Sequence, residues 1–420
     1  MKGGIAEVVH FPEFDGSGPD KVQKIIPHRL LEVYWNSLVN RSPKTEGCLG
    51  NRLQVAAEFM LCTAVSNKDG VYTFNFDSPT DLEQMLKLVE QYPYTPVSEF
   101  AAHVTSHTGF ANLFPGERNL VPQPHSLSWD PEKGEWRILM EARFAQRLDK
   151  QAHVSTKYER SASVVYANMQ INQAYRENLL LGFRRLFVLF QVLQDKYSLF
   201  HRDLGPNNIL VDKDGNITLI DFGLARFEWQ EGQLSRLGKS LYERQISIHE
   251  YNAPPELINP EIEAKERIAY ADRWGIFLSL LISISSRVLN EKAKYLGDLN
   301  NLLVLAKQNL MAIDSQNPAN AEQNINNLLA IFAKALHQDM NLRHRDTSET
   351  EAAFMIVIEL VKEIFDGSNS AINVQQGIAL DAFSLPEHSD LVNWNEVVLL
   401  ELEISHETHD TVILGNTGQL

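Results

Sequence analysis

The sequence predicts an α+β chain of two lobes. A small strand-rich lobe runs to about residue 142, a larger helical lobe from 143 to 366, and an extension from 367 to 420. Three observations predict this. The chain has 420 residues, more than one average domain, and 44% hydrophobic content, enough for a large core. Strand signals come early, around the turn FPEFDGSGPD and in the pair HSLSW and EWRILMEARF, which DPEKG separates. Helical patterns dominate from about 270 to 366.

Taken in order, residues 1 to about 30 read as short strands, and helical patterns follow around 29–40, 51–66 and 80–91. After the strand pair, Leu179, Leu180, Phe183, Leu186, Phe187, Phe190 and Leu193 recur at helical spacing, giving a strong amphipathic helix over 176–196. NILVD and ITLID, joined by KDGN, read as a tight hairpin. WGIFLSLLISI, from Trp274, is too short to span a membrane and suits a buried core helix. NSAINVQQG reads as a linker. The last 54 residues hold eight acids and no Lys or Arg, and WNEVVLLELEI within them reads as a strand or helix that docks on a partner or on the body of the protein. No internal repeat is visible.

The formal net charge of -16 repels phosphate backbones and argues against nonspecific nucleic-acid binding. Two cysteines, Cys48 and Cys62, are too few for a disulfide framework or a cysteine zinc site, so a reducing, cytoplasmic setting is expected. The N-terminal MKGGIAEVVHFPEF lacks the apolar run and cleavage site of a secretory signal. A Lys-free acidic tail also suits a bacterial effector exported into a host cytosol.

The densest chemical signal is HRDLGPNNILVDKDGNITLIDFG, residues 201–223. A helix ends and a loop presents Asp203; Asn208 opens a strand five residues on, and the hairpin returns to Asp221 thirteen residues after that. A hairpin of this length brings Asn208 and Asp221 to one edge, where an amide oxygen and a carboxylate can share metal ions. Phosphoryl transfer needs metal to neutralise phosphate charge and a carboxylate to orient the attacking hydroxyl.

This segment resembles the protein kinase family, with its catalytic loop H-R-D-L-x-x-x-N and metal loop D-F-G at the family's spacing. The resemblance implies a bilobal protein-kinase-like fold, Mg²⁺ and ATP as cofactors, and a protein substrate. It implies Asp203 as the residue orienting the hydroxyl, Arg202 as a catalytic-loop partner for a phosphate on the segment 224–250, and Asn208 and Asp221 as metal ligands. That segment offers Ser235, Ser240, Tyr242 and Ser247. Downstream, YNAPPELI resembles the A-P-E motif, whose Glu256 would pair with Arg343 of LHQDMNLRHRD. ADRWGIFLSLL resembles the core helix whose Asp272 braces the catalytic loop.

Upstream, KGGIAEVV resembles the end of the Gly-rich loop, with Gly3, Gly4, Ala6 and Val8 in its pattern and Ala6 in place of the last Gly. KVQKIIP resembles the strand V-A-I-K, which makes Lys24 the phosphate-pairing lysine. SEFAAHVTSHTGFANLF resembles the helix carrying the lysine's partner, Glu99, with Glu58 as the rival. Choosing Glu99 implies an insertion of about residues 27–97 within the N-lobe. Met140 and Glu141, after WRIL, fall at the hinge that faces adenine.

Gly205 stands where Ser/Thr kinases carry Lys and Asn207 where Tyr kinases carry Arg, so neither specificity signal is met and Ser/Thr is the default. Two further readings stand beside the active protein kinase. One is a small-molecule kinase of the aminoglycoside-phosphotransferase type, or a lipid kinase. The other is a pseudokinase scaffold, suggested by the incomplete Gly-rich loop.

Overall fold

A computed structural model describes residues 7–11, 20–29, 65–66, 70–75, 96–143, 157–206, 208–227, 254–258, 270–285, 295–313, 318–343 and 347–367. Gly3, Gly4, Ala6, Glu58, both cysteines, Asn207, the hydroxyls of 224–250 and the acidic tail lie outside them.

The first lobe is built on one antiparallel sheet. Its strands are β1 (Glu7–Phe11), β2 (Lys21–Pro27), β3 (Val65–Ser66), β4 (Tyr72–Asn75), β5 (Pro124–Asp130) and β6 (Glu135–Glu141), in the order β1-β2-β6-β5-β4-β3. Strand alternation then sorts the side chains. Lys24 lies opposite Ile138, which lies opposite Leu127, while Ile26 lies opposite Trp136, which lies opposite Trp129. These six residues share a face, and helix α1 (Pro96–Leu113) packs on β5 and β6. Lys24 therefore sits on an interior strand, between β1 and β6, and reaches α1 across a face lined by buried Ile26, Trp136 and Ile138.

One expectation needs correction here. The helical pattern over 51–66 ends in a strand, because Val65 and Ser66 pair with Thr73 and Tyr72. Gly70, at φ 75, permits the turn between the strands, and ladder pairing of a β-branched residue outweighs the helical spacing. Strands β3 and β4, inside the expected insertion, thus extend the sheet beyond β5.

The second lobe is helical. It comprises α2 (Lys157–Ile171), α3 (Gln173–Tyr197), α4 (Ala271–Ser285), α5 (Tyr295–Met311), α6 (Pro318–Ala335) and α7 (Thr347–Asp366). Helix α2 had no counterpart in the sequence reading. Helix α3 starts where the Asn172 side chain accepts a hydrogen bond from the Tyr175 N–H, an N-cap that satisfies one of the helix's orphan donors. It ends at Ser198, in the left-handed region at φ 49. All seven apolar residues of its expected stripe are buried, and each such Leu or Phe contributes about 1.5–3 kcal/mol.

Helix α4 is buried along nearly its whole length. Its serines bond back to the helix: Ser279 Oγ donates to Gly275 O at 2.7 Å and Ser283 Oγ to Ser279 O at 2.9 Å. A nearly buried helix thereby carries hydroxyls without leaving them unsatisfied. Phe187, Phe277 and Phe354 close the core, with the first and last stacked at 4.5 Å. Among the described residues no helix is long and apolar enough to cross a membrane.

Candidate active site

Two small strand pairs deliver the catalytic segment. Strand β7 (Leu199–Phe200) pairs with β10 (Arg226–Phe227), tying the way into the segment to the way out. Strands β8 (Ile209–Val211) and β9 (Ile217–Leu219) form the hairpin between them. Its turn is held by Asp212, whose Oδ1 accepts from the N–H groups of Asp214 and Asn216 at 2.9 Å each. The register continues one step past the strands, where Ile220 N–H donates to Asn208 O at 2.9 Å. Asn208 and Asp221 therefore lie at the same end of the hairpin.

Asn208 is also joined to Asp203. Its Nδ2 donates to Asp203 O at 2.7 Å and to Asp203 Oδ2 at 2.8 Å. Both amide protons are spent on Asp203, which leaves the Asn208 carbonyl oxygen as the acceptor available to a cation.

The loop around Asp203 needs support, because Arg202 has φ 68. A left-handed conformation in a residue other than glycine costs on the order of 1–3 kcal/mol and persists only where its surroundings impose it. Asp272, fully buried near the start of α4, supplies that. Its carboxylate accepts from His201 N–H at 2.9 Å and Arg202 N–H at 2.8 Å, and from Gln194 Nε2 at 3.2 Å. One turn on, Gly275 lets the loop rest directly on the helix, since a Cβ there would lie 1.7 Å from Leu204 O. Asp272→Asn should turn one acceptor into a donor facing a backbone N–H and cost about 1–3 kcal/mol. Denaturant unfolding beside the wild type measures this; an unchanged midpoint would refute the bracing role.

Across the cleft, Lys24 Nζ lies 2.6 Å from Glu99 Oε1 and 2.9 Å from Asp221 Oδ1. The structure thus pairs Lys24 with Glu99; Glu58 lies outside the described residues. Burial alone would lower the Lys24 pKa, but the charges of Asp221 and Glu99 outweigh it and hold the ammonium above its ordinary value. Burial pushes Glu99 up against the pull of Lys24. Asp221 is half exposed, and the Lys24 charge first of all brings its carboxyl down to about 2. Asp221 is therefore the carboxylate that stays ionised and open to solvent. It and the Asn208 amide oxygen, at the same end of the hairpin, are hard-oxygen donors of the kind Mg²⁺ takes. Gly223 keeps this corner open: a Cβ would stand 3.2 Å from Asp221 Oδ1 and 3.6 Å from Lys24 Nζ.

The remaining expected residues are placed as follows. Val8 is in β1, opposite Lys24. Met140 lies next to the last residue of β6, opposite Val22. Glu141 donates its N–H to Gln123 O at 2.8 Å, and its carboxylate pairs with Arg143 Nε at 2.9 Å. Glu256 and Arg343 form a hydrogen-bonded ion pair, both nearly inaccessible, with the guanidinium 4.7 Å from the Trp274 ring.

The sequence reading missed His103. It lies four residues after Glu99 on the same face of α1 and stacks on Phe222 of the metal loop, 5.0 Å between centroids. That helical spacing was the available signal.

Residues 183–355 match the family model described as the protein kinase domain, and residues 118–230 match the one described as the phosphotransferase enzyme family. The helical lobe, with the catalytic segment, is thus similar to the protein kinase domain.

Among curated proteins, the chain is similar to serine/threonine-protein kinase CHK1 of Saccharomyces cerevisiae, 33% identical over 25% of this chain and 19% of the relative. It is also similar to cyclin-dependent kinase 20 of Danio rerio, 40% identical over 19% of this chain and 20% of the relative. A third is dual specificity mitogen-activated protein kinase kinase 7 of Homo sapiens, 32% identical over 21% of this chain and 19% of the relative. The chain spans about a fifth of the length of these relatives.

Proposed function

We propose that the chain is an ATP-dependent protein kinase that moves the γ-phosphoryl group of Mg²⁺-ATP to a Ser or Thr hydroxyl of a protein. The observation that supports this most directly is the joining of two halves. Lys24 and Glu99 from the strand-rich lobe meet Asp221, while the hairpin holds Asp221 beside Asn208, and Asn208 holds Asp203. Similarity to serine/threonine and dual-specificity kinases supports a protein hydroxyl as acceptor.

In this reading Asn208 and Asp221 hold Mg²⁺, which when bound neutralises phosphate charge. Lys24, kept protonated and aimed by Glu99, contacts the inner phosphates. Met140 and Glu141 border the adenine, and Val8, with Gly3, Gly4 and Ala6, covers the nucleotide. Asp203 accepts a hydrogen bond from the incoming hydroxyl and orients it for in-line attack. Arg202 stands next to it, ready for a phosphate on the segment 224–250.

The match to the phosphotransferase family over 118–230 favours, second, a small-molecule acceptor. The buried Glu256–Arg343 pair supports the protein kinase instead, since that pair belongs to the protein kinase resemblance. Transfer of labelled γ-phosphate from Mg²⁺-ATP, wild type beside Asp203→Asn, tests both. Labelled protein is expected, falling about 10²- to 10⁴-fold in the variant. Label in a small molecule would give the second reading, and equal labelling in both proteins would remove Asp203 from the mechanism.

A further inference from the structure

Phe222 carries Asp221 on its N-terminal side, so whatever fixes the phenyl ring fixes the carboxylate. The ring is 2% exposed and has two imidazole neighbours. His103 of α1 stacks on it at 5.0 Å and 18°, and His201 of the catalytic loop tilts against it at 5.0 Å and 51°. His103 is itself 4% exposed, and its Nε2 lies 2.8 Å from Pro122 O, in the connection from α1 to β5. One nearly buried ring thus joins α1, the α1–β5 connection and the metal loop.

We propose that His103 positions the metal loop only while its ring is uncharged, so that acid releases Phe222 and with it the Lys24–Asp221 contact. The geometry explains why a charged ring would leave. An imidazolium there would be stripped of water, with one carbonyl as a partner and a phenyl face against it. The titratable groups around it add to this. Lys24 from β2, His107 one turn on in α1 and His125 from β5 all disfavour a positive charge. Glu99, one turn back, and Asp221 are engaged by Lys24, and His201 packs on Phe222.

Burial above all moves the His103 pKa from 6.5 down to about 3 in the closed arrangement. Once Phe222 swings away and the ring meets solvent, its ordinary value returns. The closed form then binds fewer protons than the open one. Closure is at full strength above 6.5 and weakens as pH falls below it, roughly tenfold in the opening constant for each pH unit. The inference needs the reading of Asp221 as a metal ligand only for its effect on catalysis.

The test is hydrogen exchange of the nucleotide-free full chain over residues 220–227, where Ala225 N–H is bonded to Phe222 O. With rates corrected for intrinsic exchange, wild-type opening should rise about tenfold between about pH 7.5 and about pH 5.5. His103→Phe, which keeps the stack, and His103→Gln, which keeps a donor near Pro122 O, should change less than about twofold. His107, His125 and His201 remain in both, so they cannot produce the difference. A flat wild type, or the same acid-driven rise in whichever variant folds, would overturn the proposal. No phosphoryl transfer is measured, so the outcome is separate from that of the labelling assay.

Discussion

Phosphoryl transfer should fall on the order of a thousandfold in Asp221→Asn, while the protein stays folded. Loss of a metal-holding carboxylate removes several kcal/mol of transition-state stabilisation, and each 1.36 kcal/mol is a factor of ten. Asparagine is the sharper replacement than alanine. Asp221 sits at φ 61, a conformation that Asn tolerates well, and an amide oxygen can still accept from Gly223 N–H. The shape of the loop is kept and the charge is removed. Lys24 loses one carboxylate and keeps Glu99 at 2.6 Å. Because Asp221 is half exposed, solvent screens its pair with Lys24, and stability should change by less than about 1 kcal/mol. Labelled γ-phosphate transfer and denaturant unfolding of both proteins measure the two quantities. Undiminished transfer would remove Asp221 from the site, and joint loss of transfer and folding would make its role structural.

The residues most legible in the sequence were those whose geometry is local. Asp203, Asn208 and Asp221 lie within 19 positions of one another, and a hairpin with a turn-forming DKDGN fixes their spacing. The stripe of α3 was legible for the same reason: helical periodicity is a short-range property. Lys24 and Glu99 are 75 positions apart, and no local rule carries a pairing across that distance. It was reached through resemblance, on a strand and a helix that both form where expected. The strand at Val65–Ser66 was missed because its partner, not its own sequence, decides its conformation. His103 was missed because a histidine in a helix announces nothing until the element packed against it is known. Asp272 was read by resemblance as a brace; the sequence could not show which two N–H groups it accepts from.

Arg343→Met should lower the unfolding free energy by about 3–5 kcal/mol, because removing one member of a buried ion pair strands the other. Glu256 is 4% exposed and sits in the short 3₁₀ turn Pro255–Ile258, where it would keep a charge with no counter-ion. The arginine has other work to lose: it donates to His337 O and Gln338 O and lies over the rings of Tyr270 and Trp274. These two contributions separate in the double variant Glu256→Gln/Arg343→Met. Neutralising the carboxyl removes the stranded charge but restores none of the arginine's contacts, so the double variant should be more stable than Arg343→Met alone and less stable than wild type. The consequence for the site follows from position. Trp274 belongs to α4, two residues after Asp272, so the arginine that anchors Glu256 also packs on the helix that braces Arg202 and His201. Loosening the pair should therefore reach the catalytic loop, and urea titrations of the three proteins, read with phosphoryl transfer, would show it. Equal stability of the single and double variants would mean that the stranded carboxylate costs nothing and that the arginine acts through its packing alone.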